Sequence, residues 1–168
     1  PEKDPAIAAQ VIRMIKGAAD AELAFGTPTI SGKDSTSMER SYISTKTGEE
    51  ISVKAKSELL MSALGVILDS STITSPDFKL AGDLIYVIGD TRDELGGSEF
   101  YLMHKETGKN VPKSKFDEIK SRYNALSSAI KQQLVHSAQY IAKGGLAVAI
   151  ANSAIGGDRG LNVDVGSI

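Results

Sequence analysis

The feature that most constrains the fold is a short apolar run, Leu84–Ile88 (LIYVI), with turn-forming residues on both sides. Gly82-Asp83 precede the run and Gly89-Asp90 follow it, which is the pattern of a central β-strand bounded by turns. Strands and helices alternate only loosely along the rest of the chain. The sequence therefore predicts an α+β fold in which helices cover a sheet, and not a strict doubly wound fold.

Further strands are expected on either side of this run. Pro28–Ser35 (PTISGKDS) has the pattern of a short strand that runs into a polar loop, and residues 161–165 (LNVDV) have that of a terminal strand cut short. Leu59–Leu68 is a helix turn or a strand buried on both faces, and its last three residues favour a strand. Residues 36–56, rich in Ser, Thr, Lys and Glu, are expected to form a flexible loop or a ragged hairpin.

A first helix is predicted near the start of the sequence. Asp4-Pro5 supply an N-cap oxygen followed by a proline at the first helical position, and Gly26 supplies a stop. The apolar residues repeat at three-to-four spacing, which predicts one buried face. That face carries Ile7, Val11, Ile15, Ala18 and Ala19.

Three more helices are predicted after the central strand. Ser98–Lys105 is a short one, and Gly144–Gly157 is rich in small residues that allow close packing on the sheet, namely Ala147, Ala149, Ala151 and Ala154. Between them, Ser114–Asp117 resembles a capping arrangement that starts a long amphipathic helix. The apolar face of that helix carries Phe116, Ile119, Tyr123, Leu126, Ile130 and Leu134.

The composition of the chain excludes several classes of function. Its 168 residues include no cysteine, which excludes disulfides, thiolate zinc sites and cysteine nucleophiles within it. A net charge of −2 with interspersed signs, and only five tyrosines and four phenylalanines, give no basis for binding nucleic acid or anionic lipid. No stretch approaches the roughly 20 apolar residues that span a bilayer, so no membrane partner is expected and the cytoplasm is the expected location.

Two adjacent glycines, Gly96-Gly97, stand where the central strand gives way to the short helix. A helix N-terminus exposes unpaired N–H groups and the positive end of the helix dipole, and glycines let that backbone close on an anion without interference from a Cβ atom. With the hydroxyl of Ser98, these residues are a candidate phosphate site. The structural alternative is that the glycines make a tight turn and Ser98 caps the helix.

A second candidate phosphate site is the loop Ser31-Gly32-Lys33-Asp34-Ser35, at the end of a predicted strand. Lys33 would pair with a phosphate, and Asp34 with a metal ion or a hydroxyl. The alternative is a solvated turn with a local Lys–Asp pair.

The two histidines do not indicate a catalytic or metal site. His104 and His136 lie in different predicted elements with no acid at ligand spacing, which argues against metal binding. The absence of G-x-S-x-G argues against a Ser-His-Asp hydrolase, and the absence of G-x-G-x-x-G and G-x-x-x-x-G-K-[ST] argues against dinucleotide-binding and P-loop folds. His136 is expected to be a satisfied, partly buried side chain.

Three stretches together resemble the phosphoribosylformylglycinamidine synthases, which are ATP-dependent amidotransferases of purine synthesis in the aminoimidazole ribonucleotide synthetase-like superfamily. They occur in the family's order and spacing and cover most of the chain. The stretches are residues 4–35 (DPAIAAQVIRMIKGAADAELAFGTPTISGKDS), 82–101 (GDLIYVIGDTRDELGGSEFY) and 134–157 (LVHSAQYIAKGGLAVAIANSAIGG).

The resemblance implies a fragment of a longer ligase that is built from duplicated halves. Residues 1–35 would be the tail of an N-terminal-type domain, 36–56 a flexible loop, and 57–168 an incomplete C-terminal-type α+β domain of the second half. The implied reaction uses ATP and magnesium to activate the amide of formylglycinamide ribonucleotide, and ammonia from a glutaminase then gives the amidine. The implied partners are the remaining domains of the same enzyme, the glutaminase domain or subunit, and the nucleotide substrate, so the fragment is expected to be inactive alone.

One motif departs from the family's pattern. Members usually have His-Ser-Ala-His-Asp-x-Ser-Glu/Asp-Gly-Gly-Leu, with the inner Asp and Ser associated with nucleotide and magnesium, whereas this chain has Tyr140, Ala142 and Lys143 at the Asp, Ser and acidic positions. Because Mg²⁺ selects carboxylates and water, no metal ligand is assigned in this chain. No catalytic residue is assigned either, because the resemblance implies that the histidine of the synthetase step lies in the other half. A degenerate, non-catalytic half that acts as a scaffold or binds the glutaminase is therefore the chief alternative. The motif ELGGSE at residues 94–99 disfavours another superfamily member, such as a selenophosphate synthetase or a hydrogenase maturation factor.

Overall fold

A computed structural model describes residues 4–35 and 38–166; residues 1–3, 36–37 and 167–168, with the domain and loop predictions that fall on them, lie outside the described residues. The chain divides into two compact units, Pro1–Gly65 and Val66–Ile168, and the domain boundaries given above stay a prediction. The described residues form four α-helices and one β-hairpin, which is consistent with the predicted α+β class. The elements are α1 Pro5–Phe25, β1 Glu39–Ile43, β2 Glu50–Lys54, a 3₁₀ turn at Ser70–Thr72, α2 Glu99–Met103, α3 Phe116–Lys131 and α4 Gly145–Gly156.

Helix α1 starts and ends where the sequence predicts. The Oδ1 atom of Asp4 accepts a hydrogen bond from the Ala6 N–H at 2.8 Å, and Pro5 occupies the first turn, where its missing N–H costs nothing. At the other end Gly26 adopts φ +70°, and its N–H donates to the carbonyl of Glu22 at 2.8 Å. Both ends are local features, so they need no tertiary contact.

The covered face of α1 is narrower than predicted. Ile7, Val11 and Ala18 are half-buried, whereas Ile15 and Ala19 are exposed. Met14 is half-buried in their place. Positions 7, 11, 14 and 18 follow the three-to-four spacing of one helix face, so the covered stripe includes position 14 and excludes 15.

Of the two alternatives for residues 36–56, the structure contains the hairpin. Strands β1 and β2 are antiparallel, with Glu39 opposite Lys54 and Ser41 opposite Ser52. Both strands are exposed along their whole length. This hairpin is the sole sheet among residues 4–35 and 38–166, so the predicted helix-covered sheet is not present there.

The other predicted strands do not form in the described part of the chain. Residues 28–30, 59–68, 84–88 and 161–165 are neither helix nor strand. Their large apolar side chains are open to solvent, with Leu60 at 91% and Leu84 at 77% exposure. A strand needs a neighbour to pair its N–H and C=O groups, and the described residues supply none here, so apolar pattern alone did not decide the outcome.

Helices α2 and α3 lie within their predicted segments, but the predicted cap of α3 is wrong. The N-cap is Lys115, which makes no side-chain capping bond, so Ser114 stands one residue too early to cap. Along α3, Phe116, Ile119, Leu126 and Ile130 are half-buried as predicted. Tyr123 is exposed, and Leu134 lies beyond the end of the helix.

The buried residues of the second unit centre on α4. Ala149 and Ala154 are each 6% exposed and Ser153 is 3% exposed, whereas Ala147 and Ala151 face solvent. Ser153 also satisfies its own hydroxyl, which donates to the Ala149 carbonyl at 3.2 Å. Close packing of small residues is therefore confirmed for one face of α4 only.

The packing partner of α4 is the segment Ser75–Lys79 and not a sheet. The N–H of Phe78 donates to the carbonyl of Ser153 at 3.0 Å. A Cβ atom placed on Gly157 would collide with the carbonyl oxygen of Phe78. The end of α4 thus touches the backbone of this segment, and glycine is what permits the contact.

Candidate functional site

The candidate phosphate site at residues 96–98 is a turn whose amides are already occupied. Each N–H donates to a carbonyl oxygen of the same chain: Gly96 to Asn110 at 2.7 Å, Gly97 to Thr107 at 2.6 Å, and Ser98 to Leu95 at 3.0 Å. An N–H that makes a good internal bond is not available to an anion. The prediction that these three amides converge on a phosphate is therefore wrong for this structure.

The two glycines have structural reasons of their own. A Cβ on Gly96 would lie 2.8 Å from the carbonyl carbon and oxygen of Asn110, so only glycine allows the two backbones to meet. Gly97 adopts φ +74°, a conformation that L side chains rarely take. The structural alternative is correct for the glycines, since they make a tight turn against residues 107–111.

Ser98 behaves differently from both alternatives. It occupies the N-cap position of α2, but its side chain makes no capping bond. Its Oγ atom is buried and has no hydrogen-bond partner in the described part of the chain. Ser98, Glu99 and Glu106 are among the residues that line a small cleft of about 140 Å³. Lys143 pairs with Glu99, so two carboxylates and one ammonium leave no net positive charge at this cleft to attract a phosphate.

A larger, open cavity of about 570 Å³ lies on the other side of the turn. Its charged lining residues are Asp93, Glu106 and Lys109. The Nδ2 group of Asn110 donates to the Asp93 carbonyl and ties the two walls together. With two carboxylates against one ammonium, the cavity has a net negative lining, which disfavours an anionic ligand.

The second predicted phosphate site, Ser31–Ser35, is an exposed segment without regular secondary structure. The Nζ group of Lys33 folds back on its own loop, where it donates to the carbonyl of Asp34 and, at 3.1 Å, to Oγ of Ser35. A Cβ on Gly32 would meet nothing within 4 Å. The loop belongs to the first unit and the 96–98 turn to the second. Phosphate binding by Ser31, Gly32, Lys33, Asp34 and Ser35 stays a prediction.

The residues at the departing motif do not fit a magnesium ion. Tyr140 is 77% exposed, and Lys143 Nζ lies 3.2 Å from Oε1 of Glu99. An ammonium group thus neutralises the nearest carboxylate, and Mg²⁺ has no site beside it. Within residues 4–35 and 38–166, no group of three or more His, Asp or Glu side chains is arranged to hold a metal ion.

Sequence reasoning missed the partner of His136. Its Nδ1 atom donates to Oδ2 of Asp83 at 2.8 Å, and the two side chains are about half exposed. The prediction of a satisfied histidine is confirmed, but His136 is exposed and not partly buried. Because 53 residues separate the two, no spacing pattern in the sequence would have indicated the pair.

A second missed feature is a charge network around Asp90, in the segment before the glycine turn. Arg92 bonds to the carboxylate, and Arg122 of α3 reaches it at 3.3 Å while also pairing with Glu118. The hydrogen bond from Arg92, followed by that from Arg122, lowers the pKa of Asp90. The pKa of Glu118 is also lowered, chiefly by its hydrogen bond with Lys115. The network joins α3 to the start of the turn.

A third carboxylate is held in the segment that packs on α4. Lys79 Nζ lies 2.6 Å from Oδ2 of Asp77, and the Ser75 hydroxyl donates to Oδ1 at 2.6 Å. The hydrogen bond from Lys79, then that from Ser75, lowers the pKa of Asp77 from 3.8 to about 2. These groups order the segment and show no arrangement for catalysis.

Comparison with known families decides what kind of domain carries these features. A family model described as "AIR synthase related protein, C-terminal domain" matches residues 81–168, slightly more than half of the chain. The chain belongs to this family. No solved structure matches it.

Membership in the AIR synthase-related family agrees with the superfamily that the sequence resemblance implied. The matched range contains two of the three resembling stretches, 82–101 and 134–157. Domains of this family occur in ATP-using synthetases and ligases. None of the described helices is long and apolar enough to cross a lipid bilayer.

Proposed function

We propose that this AIR synthase-related chain is part of a phosphoribosylformylglycinamidine synthase. The whole enzyme would convert formylglycinamide ribonucleotide and ammonia from glutamine to the amidine, with ATP and magnesium as cofactors. The family match over residues 81–168 carries the proposal, and the DELGGSE wording within it favours this member over other synthetases of the superfamily. The remaining domains of the enzyme, its glutaminase and the nucleotide substrate are the proposed partners, and the cytoplasm is the proposed location.

The proposal includes a finer fold than the hairpin and helices described above. In the whole enzyme, the apolar runs 59–68, 84–88 and 161–165 would gain strand partners and form a sheet covered by helices. Their exposed side chains support this, because burying apolar surface of that extent is strongly favourable. Residues 57–168 would then be the larger part of a C-terminal-type domain.

Amidine formation by the full-length protein tests the proposed reaction. With formylglycinamide ribonucleotide, ammonium chloride and Mg-ATP, we expect amidine and ADP to appear in equal amounts. ADP release without the ribonucleotide serves as the control. ATP consumption that depends on another acceptor, such as selenide, and not on the ribonucleotide would contradict the proposal and favour a different synthetase of the family.

A second candidate function, a non-catalytic scaffold half, is favoured by two observations. The 96–98 amides are closed by internal bonds, and Lys143 pairs with Glu99 where a metal-binding acid would be needed. In this case the enzyme's phosphoryl transfer takes place in its other half, and residues 66–168 have a structural role as a scaffold for the other domains.

Titration of the full-length protein with Mg-ATP separates the two functions. If this half is a scaffold, wild type and a Lys143→Ala variant bind the same number of nucleotides with the same affinity. A lower stoichiometry in Lys143→Ala would show a live nucleotide site here. A Tyr140→Asp variant serves as a comparison, because a magnesium-dependent gain of binding would mean that one carboxylate is all the site lacks.

A further inference from the structure

The outer edge of β2 has no partner strand in the described part of the chain. The sheet has two strands only, and every residue of β2 is exposed. Open strand edges carry unpaired N–H and C=O groups that serve as templates for another strand. The hydrogen bonds of the hairpin show which residues present these groups.

Two hydrogen bonds between the strands of the hairpin show which edge of β2 the backbone N–H and C=O groups of each residue face. The N–H of Ser44 donates to the Glu49 carbonyl at 2.8 Å, and the N–H of Ala55 donates to the Met38 carbonyl at 2.9 Å. Residues of an antiparallel strand alternate between facing their partner and facing away. Odd-numbered residues of β2 therefore bond to β1. The backbone groups that face the open edge are those of Glu50, Ser52 and Lys54.

We propose that β2 pairs with β2 of a second copy of this chain, antiparallel about a two-fold axis at Ser52. In this register Ser52 faces its own copy, and Glu50 faces Lys54 of the second copy in two equivalent pairs. On the other face Ile51 lies opposite Val53 of the second copy. Opposite charges and β-branched pairs directly across a ladder are both stabilising, so every position of the strand EISVK meets a complementary one.

Charge selects both the register and the edge. A shift by two residues in either direction replaces the Glu50–Lys54 pairs with Glu50–Ser52 pairs or with Lys54–Ser52 pairs. A shift by four places Glu50 opposite Glu50 or Lys54 opposite Lys54, and like charges directly across a ladder are destabilising. The open edge of β1 is a poorer match, because the equivalent pairing about Ser41 places Glu39 opposite Ile43. The edge of β2 is therefore the self-complementary one.

Pairing of the two copies would also increase the stability of the hairpin. An isolated two-stranded hairpin is marginally stable in water, and three or more strands with an apolar face are needed for independent stability. The two-fold pairing gives four strands in the order β1-β2-β2-β1. Tyr42 and Ile51, which lie opposite each other in the hairpin, then extend one apolar face with their copies.

Sedimentation velocity of the 168-residue chain over a range of concentrations tests the proposal. We expect the wild type to dimerise, and Glu50→Lys and Lys54→Glu each to weaken self-association at least about tenfold, because each places like charges opposite each other twice. An equimolar mixture of the two variants is expected to dimerise again, since opposite charges then face each other. Lys46→Glu, the same charge change in the turn between the strands, is the matched control and is expected to behave as wild type.

Cross-linking supplies a readout that does not depend on charge. The chain has no cysteine, and residues in a hydrogen-bonded antiparallel pair have Cα atoms about 5.5 Å apart, within the range of a disulfide. A Ser52→Cys variant should therefore form a covalent dimer on oxidation, whereas Ser41→Cys, on the neighbouring strand, should not. A wild type that stays monomeric, a mixture of charge variants that does not associate, or equal cross-linking of both cysteine variants would overturn the proposal.

Discussion

At the scale of residues, glycines mark the places where one backbone touches another. Gly96 meets Asn110, and Gly157 meets Phe78, each at a distance that no side chain would allow. The sequence alone showed that the pair Gly96-Gly97 was unusual and suggested a ligand as the reason. The structure gives a nearer reason, since the space that a Cβ would fill is taken by the chain itself.

A Gly157→Ala substitution is expected to destabilise the protein by about 1–3 kcal/mol, as overpacking does, because the new methyl group would displace Ser75–Lys79 from α4. Equilibrium urea unfolding measures the change. Gly160→Ala is the matched control, because its Cβ would meet nothing within 4 Å. Equal unfolding midpoints for the two variants would show that the contact at Gly157 contributes nothing.

At the scale of elements, helices followed the sequence more closely than strands. The caps of α1 are contained within a few neighbouring residues, so Asp4, Pro5 and Gly26 were enough to predict its ends. The run at Leu84–Ile88 has equally clear sequence boundaries but forms no ladder among the described residues. A helix satisfies its backbone from within, whereas a strand depends on a second segment that its own sequence does not specify.

Replacing Asp4 with alanine is expected to cost about 1 kcal/mol, because the Ala6 N–H would lose its capping acceptor. Loss of helical circular dichroism on heating measures the effect. Asp20→Ala is the control: Asp20 lies inside α1 and pairs with Lys16 at the surface, so the change should stay within about 0.5 kcal/mol. If the Asp4→Ala and Asp20→Ala variants lose helical circular dichroism at the same temperature, the capping role of Asp4 is contradicted.

At the scale of the whole molecule, the loss of folding stability at low pH is expected to arise in the second unit. The pKa values of Asp77, Asp90 and Glu118 are all lowered, and all three lie beyond Val66. A carboxylate with a lowered pKa in the folded state adds stability above its unfolded pKa, and that stability is lost as pH falls through the folded value. The three groups therefore act in the same direction.

For Asp77 the window lies between pH 3.8 and about 2. We expect the urea midpoint of the wild type to fall across this window, and the fall to be smaller in Asp77→Asn, which has no proton to take up there. Wild type and variant should converge below pH 2, where neither carries a charge at position 77. A variant with the full wild-type pH dependence would contradict the assignment to Asp77.

The candidate site illustrates how far sequence reasoning reaches. It selected residues 96–98 as a candidate phosphate site, with a tight turn of the glycines as the alternative, and the structure contains the turn. It did not find the occupied amides, the Asp83–His136 pair or the Asp90–Arg122 contact. Apart from the local bond between Ser98 and Leu95, each of these joins segments that lie apart in the chain, and hydrogen-bond partners at such separations leave no spacing pattern to recognise.

The sequence by itself determined the ends of α1 and the AIR synthase-related family, because the caps of α1 and the motifs of the family depend only on neighbouring residues and their order. Only the tertiary structure decided which apolar runs became strands and whether the N–H groups of the glycine turn were available to a ligand. Both outcomes depend on which distant carbonyl groups come within 3 Å of an N–H. That proximity is a property of the folded chain and not of any single segment.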